Sequence, residues 1–244
     1  MPHILKINGV YSLPSQVANT SPEKKFDHIF ESGVWARSTR GESVSGTGSM
    51  LENTQIYRRQ LKLFLKSFSE KRNRKVKFFD GACGDLNWVK EYFTDSEMTE
   101  VLDYIGGDIS GKLIQTLKNK YPNINLFKFN MIEDKFPEAD IFHARHVLFH
   151  LSLSDIYQTL KNFTSSNIEY ALITNHFLPD VVTHDIPTGS FRFLDLTNYP
   201  FYLPKPHNWL LDSKPLTDRV PFASGLWDQE QIKIGIKNYE ENTK

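Results

Sequence analysis

Five short apolar segments, alternating with stretches of helical spacing, restrict the folds open to this chain more than any other feature. They are Lys75-Val-Lys-Phe-Phe-Asp80, Val101 to Asp108, Asn125 to Asn130, Asp140 to Arg145 and Glu169 to Thr174. Each has the length and composition of a strand buried on both faces. Between them, Asn87 to Phe93, Gly111 to Lys120 and Ser154 to Phe163 repeat apolar residues at three- and four-residue intervals. Ser110 is placed to cap the second of these helices, and Pro122 ends it. Such alternation predicts an α/β fold with a doubly wound, mostly parallel sheet. In these sheets ligands bind beyond the carboxyl ends of the strands, so function is sought in the residues that follow each strand.

With 244 residues and 39% hydrophobic content, the chain has enough material for one globular core. Residues 1–244 are read as a single domain: an N-terminal arm or cap (1–55), a core (56–178), a lid (179–225) and a C-terminal element (226–244). Helices are expected over Phe26–Trp35 and Leu51–Phe68, with a turn-rich loop at Ser43–Ser49 between them. Phe177–Pro206, rich in Pro, Asp, Thr and Tyr, reads as an excursion covering a substrate. Its part Pro179–Pro206 is expected to close over the site together with Ser45–Thr54.

Lys and Arg total 29, as do Asp and Glu, and this balance argues against a sequence-independent nucleic-acid binder. The basic run Lys71–Lys77 reads as a solvated helix end leading into a strand. A single cysteine, Cys83, excludes an internal disulfide and a cysteine-held zinc, and fits a cytoplasmic protein. No apolar stretch approaches the roughly 20 residues of a membrane span. Met1–Ser12, interrupted by Lys6 and Asn8, is a poor signal-peptide core and reads as an extra strand or arm.

The first strand runs into Asp80-Gly81-Ala82-Cys83-Gly84-Asp85 and then a helix. Glycines let backbone turn sharply and approach a ligand closely. A dinucleotide-binding turn would continue to a third glycine, where this chain has Asn87 or Trp88. Acids on both sides would repel a pyrophosphate and suit a ligand with a positive centre, such as a sulfonium bearing an amino group. Asp108, 28 residues beyond Asp80, ends the second strand where an acid accepts from both hydroxyls of an adenosine ribose.

In these features the chain resembles the class I S-adenosylmethionine-dependent methyltransferases. Tyr104-Ile-Gly-Gly-Asp-Ile109, Phe129-Asn-Met131 and Asp140–Leu151 follow the glycine turn in that family's order. It is similar in particular to a bacterial subgroup with a C-G-D-x-N-W turn, here Cys83–Trp88, and an upstream serine/glycine loop, here Ser45–Thr54. The resemblance implies S-adenosyl-L-methionine as cofactor. Asp80, Gly81, Cys83 and Gly84 would lie at its methionine end, Asp108 on the ribose and Ile109 against the adenine. Asn130 and Met131 would also meet the adenine, Asn130 standing where the family has an Asp. Arg145 is expected as a polar anchor in the same site.

The subgroup implies a sugar, sugar nucleotide or phosphorylated metabolite of capsule or surface-polysaccharide synthesis as the methyl acceptor, with transfer to oxygen favoured. A general base is expected from the histidines after strands four and five, His146 first and His176 second, since imidazole titrates near neutrality. His143 and His150 have structural readings, as a core histidine and as a cap or packing residue for the following helix. Asp185, Arg192 and Tyr199, with Phe201 and Tyr202, are candidates for holding the acceptor, and Arg192 suits a phosphate or carboxylate. No metal-ligand spacing is present, and the oligomeric state is left open. The competing functions are a nucleic-acid methyltransferase and a non-catalytic adenosyl-binding protein of the same fold.

Overall fold

The computed structural model describes residues 17, 19–177, 183–212 and 220–243. The expected N-terminal arm of Met1–Ser12 therefore lies outside the described residues, as do parts of the expected lid. Helix α1 (Pro22–Glu31) and helix α2 (Leu51–Arg72) precede the sheet. The chain then runs through β1 (Val76–Asp80), α3 (Ser96–Val101), β2 (Leu102–Asp108), α4 (Gly111–Lys120) and β3 (Asn125–Lys128). It continues with β4 (Ile141–Ala144), α5 (Leu153–Thr164), β5 (Tyr170–His176), β6 (Asn208–Leu211), β7 (Phe222–Asp228) and α6 (Gln229–Asn242).

The seven strands form one sheet in the order β3-β2-β1-β4-β5-β7-β6. β1 to β5 are mutually parallel, whereas β7 is antiparallel to both of its neighbours, β5 and β6. Strand alternation divides the core into two layers. Phe79, Ile105, Phe142 and Ile173 face the cluster under α5 and α6. Phe78, Tyr104, Ile141 and Leu172 face the cluster under α2 and α4. Odd and even positions of buried parallel strands point to opposite faces, so continuous apolar runs serve both layers.

The five expected strands and two of the three sheet-flanking helices are present with small shifts at their ends. Asn87–Phe93 narrows to turns and a short 3-10 helix at Val89–Phe93. Ser110 caps α4, its Oγ accepting from Leu113 N at 3.3 Å. Two readings change. Asn208–Leu211 and Phe222–Asp228, partly assigned to the lid, are sheet strands, because β7 covers the otherwise open edge of β5. Trp35 lies beyond the end of α1, which stops at Glu31 and turns at Gly33 with φ +61°. Among the described residues no helix is long and apolar enough to cross a membrane.

The basic run is held by acids. Asn73 ends α2 in the left-handed conformation, and Arg74 donates from NH1 and NH2 to Asp140 at 2.7 and 2.6 Å. Asp140 also accepts from Lys77 N at 2.9 Å, which ties the start of β1 to that of β4. Burial opposes ionisation of Asp140, but Arg74 and the Lys77 N–H together hold its pKa below the usual value. Asp140→Ala is therefore expected to cost about 2 kcal/mol in urea unfolding, through loss of the charge-assisted bonds and an unpaired Lys77 N–H. Arg74→Ala is expected to cost clearly less, because the guanidinium is half exposed and Arg72 stays 3.7 Å from Asp140. Equal losses in the two variants would contradict this account of the anchor.

Candidate functional site

Sheet order changes direction between β1 and β4, which pair in register from Phe78↔Ile141 to Asp80↔His143. Two cavities open beyond the carboxyl ends of these strands, the expected location in an open α/β sheet. The first spans about 820 Å³, part of it open to solvent, and is lined by the turn after β1, the ends of β2 and β4, the segment after β3, and residues of the N-terminal cap.

The turn is fixed by backbone bonds on both sides. Gly81 N donates to His143 O, and Cys83 N to Gly107 O, each at 2.9 Å. Gly84 has φ +54°, and a Cβ there would stand 2.4 Å from Ser45 Oγ. That contact is where the serine/glycine loop meets the turn. Ser45 Oγ accepts from Asp85 N, and Asp85 Oδ2 accepts from Val44 N at 2.7 Å. Asn87 Nδ2 donates to both Glu42 Oε1 and Ser49 O at 2.9 Å. The two distant motifs of the sequence are thus one hydrogen-bonded unit.

Asp80 is buried, accepting from Tyr104 OH at 2.9 Å and from His143 Nδ1 at 2.8 Å. Tyr57 OH lies 2.7 Å from His143 Nε2. With Nδ1–H directed at the carboxylate, Nε2 accepts from Tyr57, so His143 is a fully bonded core histidine. Asp108 accepts from Gly84 N and Ser110 N, each at 3.0 Å, one bond per oxygen. Burial is the main reason its pKa is pushed up to about 6. Each oxygen retains a lone pair, so the group has unused capacity for two donors. Cys83 is buried at the same wall, and burial drives its thiol pKa well up.

Asp80, Gly81, Cys83, Gly84, Asp108, Ile109, Asn130, Met131 and Arg145 all line this first cavity. The Asn130 side chain spends its Oδ1 on Ile132 N at 3.1 Å, closing a local turn. Sequence reading did not single out Phe26, Phe30 and Trp35, which form the opposite wall. The four-residue spacing of Phe26 and Phe30 was the available signal, one face of an amphipathic helix. That helix is pinned over the cavity by Ser110 Oγ donating to Asp27 at 2.5 Å, by Lys128–Glu23 at 2.6 Å and by a Lys112–Glu31 ion pair.

The second cavity, about 1830 Å³ and open to solvent, adjoins the first. Trp35, Ser45, Arg145, His146 and His150 line both. Arg145 is buried, its Nε and NH2 donating to the two oxygens of Asp212 at 2.8 and 2.7 Å and its NH1 to Gly48 O at 2.9 Å. The guanidinium also lies over the Tyr57 ring, 5.0 Å from its centre. Asp212, absent from the expected site, is the buried counter-ion of this unit. Burial raises its pKa, but Arg145 and His146 more than compensate and hold it far below the carboxylate range.

His146 directly follows Arg145, with φ +56°, its N–H donating to Thr174 Oγ1 at 3.0 Å. Its Nε2 is 3.2 Å from Asp212 Oδ2 without hydrogen-bond geometry and has no other partner among the described residues. A Cβ on Gly48 would stand 2.4 Å from Nδ1, so only glycine fits there. Burial, followed by the Arg145 charge, lowers the His146 pKa against the opposing pull of Asp212.

His176 lines the second cavity only, its Nδ1 accepting from Leu194 N at 3.3 Å. His150 does not pack under α5; it lies against Trp35, 4.8 Å between ring centres, with Nδ1 2.7 Å from Ser190 O. Burial pushes both histidines down to about 4.

The three residues expected to hold an acceptor line neither cavity. Asp185 accepts from Leu153 N and Ile186 N, and so caps the start of α5. Arg192 is buried, donating from NH1 to Leu151 O at 2.6 Å, and burial lowers its pKa to about 10. Tyr199 OH donates to Asn242 O at the end of α6. Of the neighbouring aromatics, Phe201 is packed in the core and Tyr202 is exposed. Among the described residues no group of three or more His, Cys, Asp or Glu is placed to hold a metal ion.

No family model matches the sequence, and no curated protein does. The chain is similar in structure to magnesium protoporphyrin IX methyltransferase from Synechocystis PCC 6803 with bound SAM. That likeness covers 86% of this chain and 98% of the other, at 11% identity and a TM-score of 0.50. TehB from Haemophilus influenzae matches at 18% identity and a TM-score of 0.44, over 67% of this chain and 60% of that one. The methyltransferase domain of bacterial CtHen1-C matches at 16% identity and a TM-score of 0.39, over 49% of this chain and 66% of that one. The chain thus spans less than two thirds of the length of the last two. At the level of fold, the chain has the Rossmann-like α/β arrangement that it shares with the Synechocystis structure.

Asp212→Ala would leave the Arg145 guanidinium buried without its counter-charge, at an expected cost of roughly 3–5 kcal/mol. Because the folded pKa of Asp212 is depressed, its contribution is present above the ordinary carboxylate pKa and fades as pH falls below it. Equilibrium unfolding at pH 7 and pH 3 measures both effects. A loss that stays the same at the two pH values would contradict the ion-pair account.

Proposed function

We propose that this protein is an S-adenosyl-L-methionine-dependent methyltransferase acting on a small polar acceptor. The observation carrying this reading is the junction of the two cavities. The first ends in buried carboxylates with unused accepting capacity, the second is open to solvent, and His146 borders both.

The residues of the first cavity fit the cofactor. Asp108 would accept from a ribose diol, which supplies the two missing donors. Ile109, Met131 and the cap aromatics offer apolar faces to a purine. Asp80, held by His143 and Tyr104, would give a fixed negative charge near a cationic centre. When bound, S-adenosylmethionine supplies an electrophilic methyl group on sulfur.

His146 would remove the acceptor proton. Its Nε2 faces Asp212, which favours the proton on that nitrogen and leaves Nδ1 as the accepting atom. Its lowered pKa keeps the imidazole neutral at physiological pH. The Arg145–Asp212 pair holds the histidine's surroundings in place, and Arg145 fastens the Gly48 loop beside it. Most of the gain would come from orienting the two reactants and excluding water. We further propose transfer to oxygen of a sugar, sugar nucleotide or phosphorylated metabolite of surface-polysaccharide synthesis. Support for a polar, acidic acceptor comes from the hydroxyls of Ser38 and Thr47 and from Arg37 in the second cavity.

Asp108→Ala should weaken S-adenosylmethionine binding by roughly 2–4 kcal/mol, ten- to several-hundredfold in calorimetry. Wild-type affinity should fall as pH drops below about 6, where Asp108 takes up a proton. A folded Asp108→Ala variant with unchanged affinity would overturn the cofactor site.

His146→Ala should reduce single-turnover methyl transfer about 10²–10⁴-fold with cofactor affinity nearly unchanged. The wild-type rate should decline on acidification only below the ordinary histidine range, since the folded pKa is depressed. Collapse of the rate in His176→Ala alone would transfer the role of base to His176. Retention of the rate in both variants would mean that the acceptor arrives already deprotonated.

A further inference from the structure

One wall of the second cavity is built from aromatic rings in mutual contact. His146, Phe149, His176 and Phe222 form a closed circuit, with successive ring centres 5.5, 5.2, 5.6 and 5.2 Å apart. The Phe149–His176 edge belongs to a second circuit, through Phe191 at 5.3 Å from Phe149 and Phe193 at 5.4 Å from Phe191 and 5.1 Å from His176. All six rings line the cavity. Phe191, Phe193 and Phe222 are only half-buried, so ring surface remains open there.

Aromatic surface left facing water in a concave site is a binding surface, since a ligand that covers it regains the hydrophobic and ring-stacking contributions. The wall bears little charge. Burial keeps His176 neutral, with a pKa of about 4. Among the described lining residues the permanently charged groups are Arg37, Arg145 and Asp212, and the last two neutralise one another. Arg37 forms no ion pair among the described residues and is exposed. An apolar ring face, a proton acceptor at His146 and one uncompensated cation are the recognition elements that remain.

We propose that the acceptor is a planar hydroxylated aromatic compound carrying an anionic substituent, its ring lying on the half-buried rings of Phe191, Phe193 and Phe222, which the buried Phe149 and His176 back. The hydroxyl is directed to His146 and the anion to Arg37. This rests on the methyl-transfer reading but not on its saccharide acceptor, to which it is the alternative: a flat ring face is required, and a bare sugar phosphate lacks one.

Calorimetric titrations of the full chain saturated with S-adenosylhomocysteine test it, using 4-hydroxybenzoate, trans-4-hydroxycyclohexanecarboxylate and glucose 1-phosphate as probes. The two acids share their polar groups and differ in planarity. The aromatic acid is expected to bind at least about tenfold more tightly than the saturated one. Phe191→Leu should remove most of that preference, and Arg37→Gln should weaken both acids alike. Phe193→Leu serves in place of Phe191→Leu if the latter shifts the unfolding midpoint. Equal or tighter binding of the saturated acid, tightest binding of glucose 1-phosphate, or no binding of any probe at millimolar concentration would each overturn the proposal. S-adenosylhomocysteine that fails to bind sinks the methyl-transfer reading instead, and that is measured before any acceptor probe is added.

Discussion

The hydrogen bond between Asp80 and His143 joins the two strands at which the sheet reverses its order, and the rest of the site is arranged around it. Both side chains are buried, so each must be bonded to remain there. Tyr104 from β2 completes the carboxylate and Tyr57 from α2 completes the imidazole. One polar chain therefore links three strands and a helix at the floor of the first cavity. Tyr57 also lies under the Arg145 guanidinium, so the same chain reaches the ion pair that borders the second cavity. Fully satisfied networks of this kind specify one arrangement of a core, because partial versions of them leave costly unpaired groups.

Asp108 illustrates the opposite condition at the neighbouring strand end. It is as deeply buried as Asp80, yet it holds only backbone partners and its pKa is raised to about 6. Between the ordinary carboxylate value and about 6 the folded state binds the proton more tightly than the unfolded one. The ionised carboxylate therefore lowers stability at neutral pH. A site that holds an anion at such a cost gains when donors arrive, which is how pre-formed polar groups in an apolar cavity produce affinity.

Much of the fold was readable because buried parallel strands advertise themselves as continuous apolar runs, and because Ser110 caps its helix with a short polar side chain. The cap helix was partly readable, since Phe26 and Phe30 share a face. What escaped reading has identifiable causes. α3, six residues of Ser-Glu-Met-Thr-Glu-Val, is too short to display a period. β7 contains Ser224, Gly225 and Asp228, residues that mark turns. Gly225 is there because a Cβ would meet the rings of Trp227 and Trp209 at 2.4 and 2.9 Å, a packing constraint invisible in one dimension. Asp212 follows a short edge strand and pairs with an arginine 67 positions earlier, so no local pattern announces it. Arg192 and Tyr199 were attractive as recognition groups, but Arg192 is buried and donates to the Leu151 carbonyl, and the Tyr199 hydroxyl donates to the Asn242 carbonyl at the end of α6.

The origin of Asp212 late in the chain orders events during synthesis. A nascent polypeptide that has emerged as far as β5 already possesses the glycine turn, Asp108 and the cap helix that close the first cavity. Up to that point the chain lacks Asp212, the counter-ion of the arginine that holds the Gly48 carbonyl. Asp212 directly follows β6, which is held in the sheet by its pairing with β7. Every residue that lines the first cavity is therefore encoded before β5 begins, whereas the second cavity takes Phe191, Phe193, Asp212 and Phe222 from the chain beyond it, and its wall is complete only with the closed sheet.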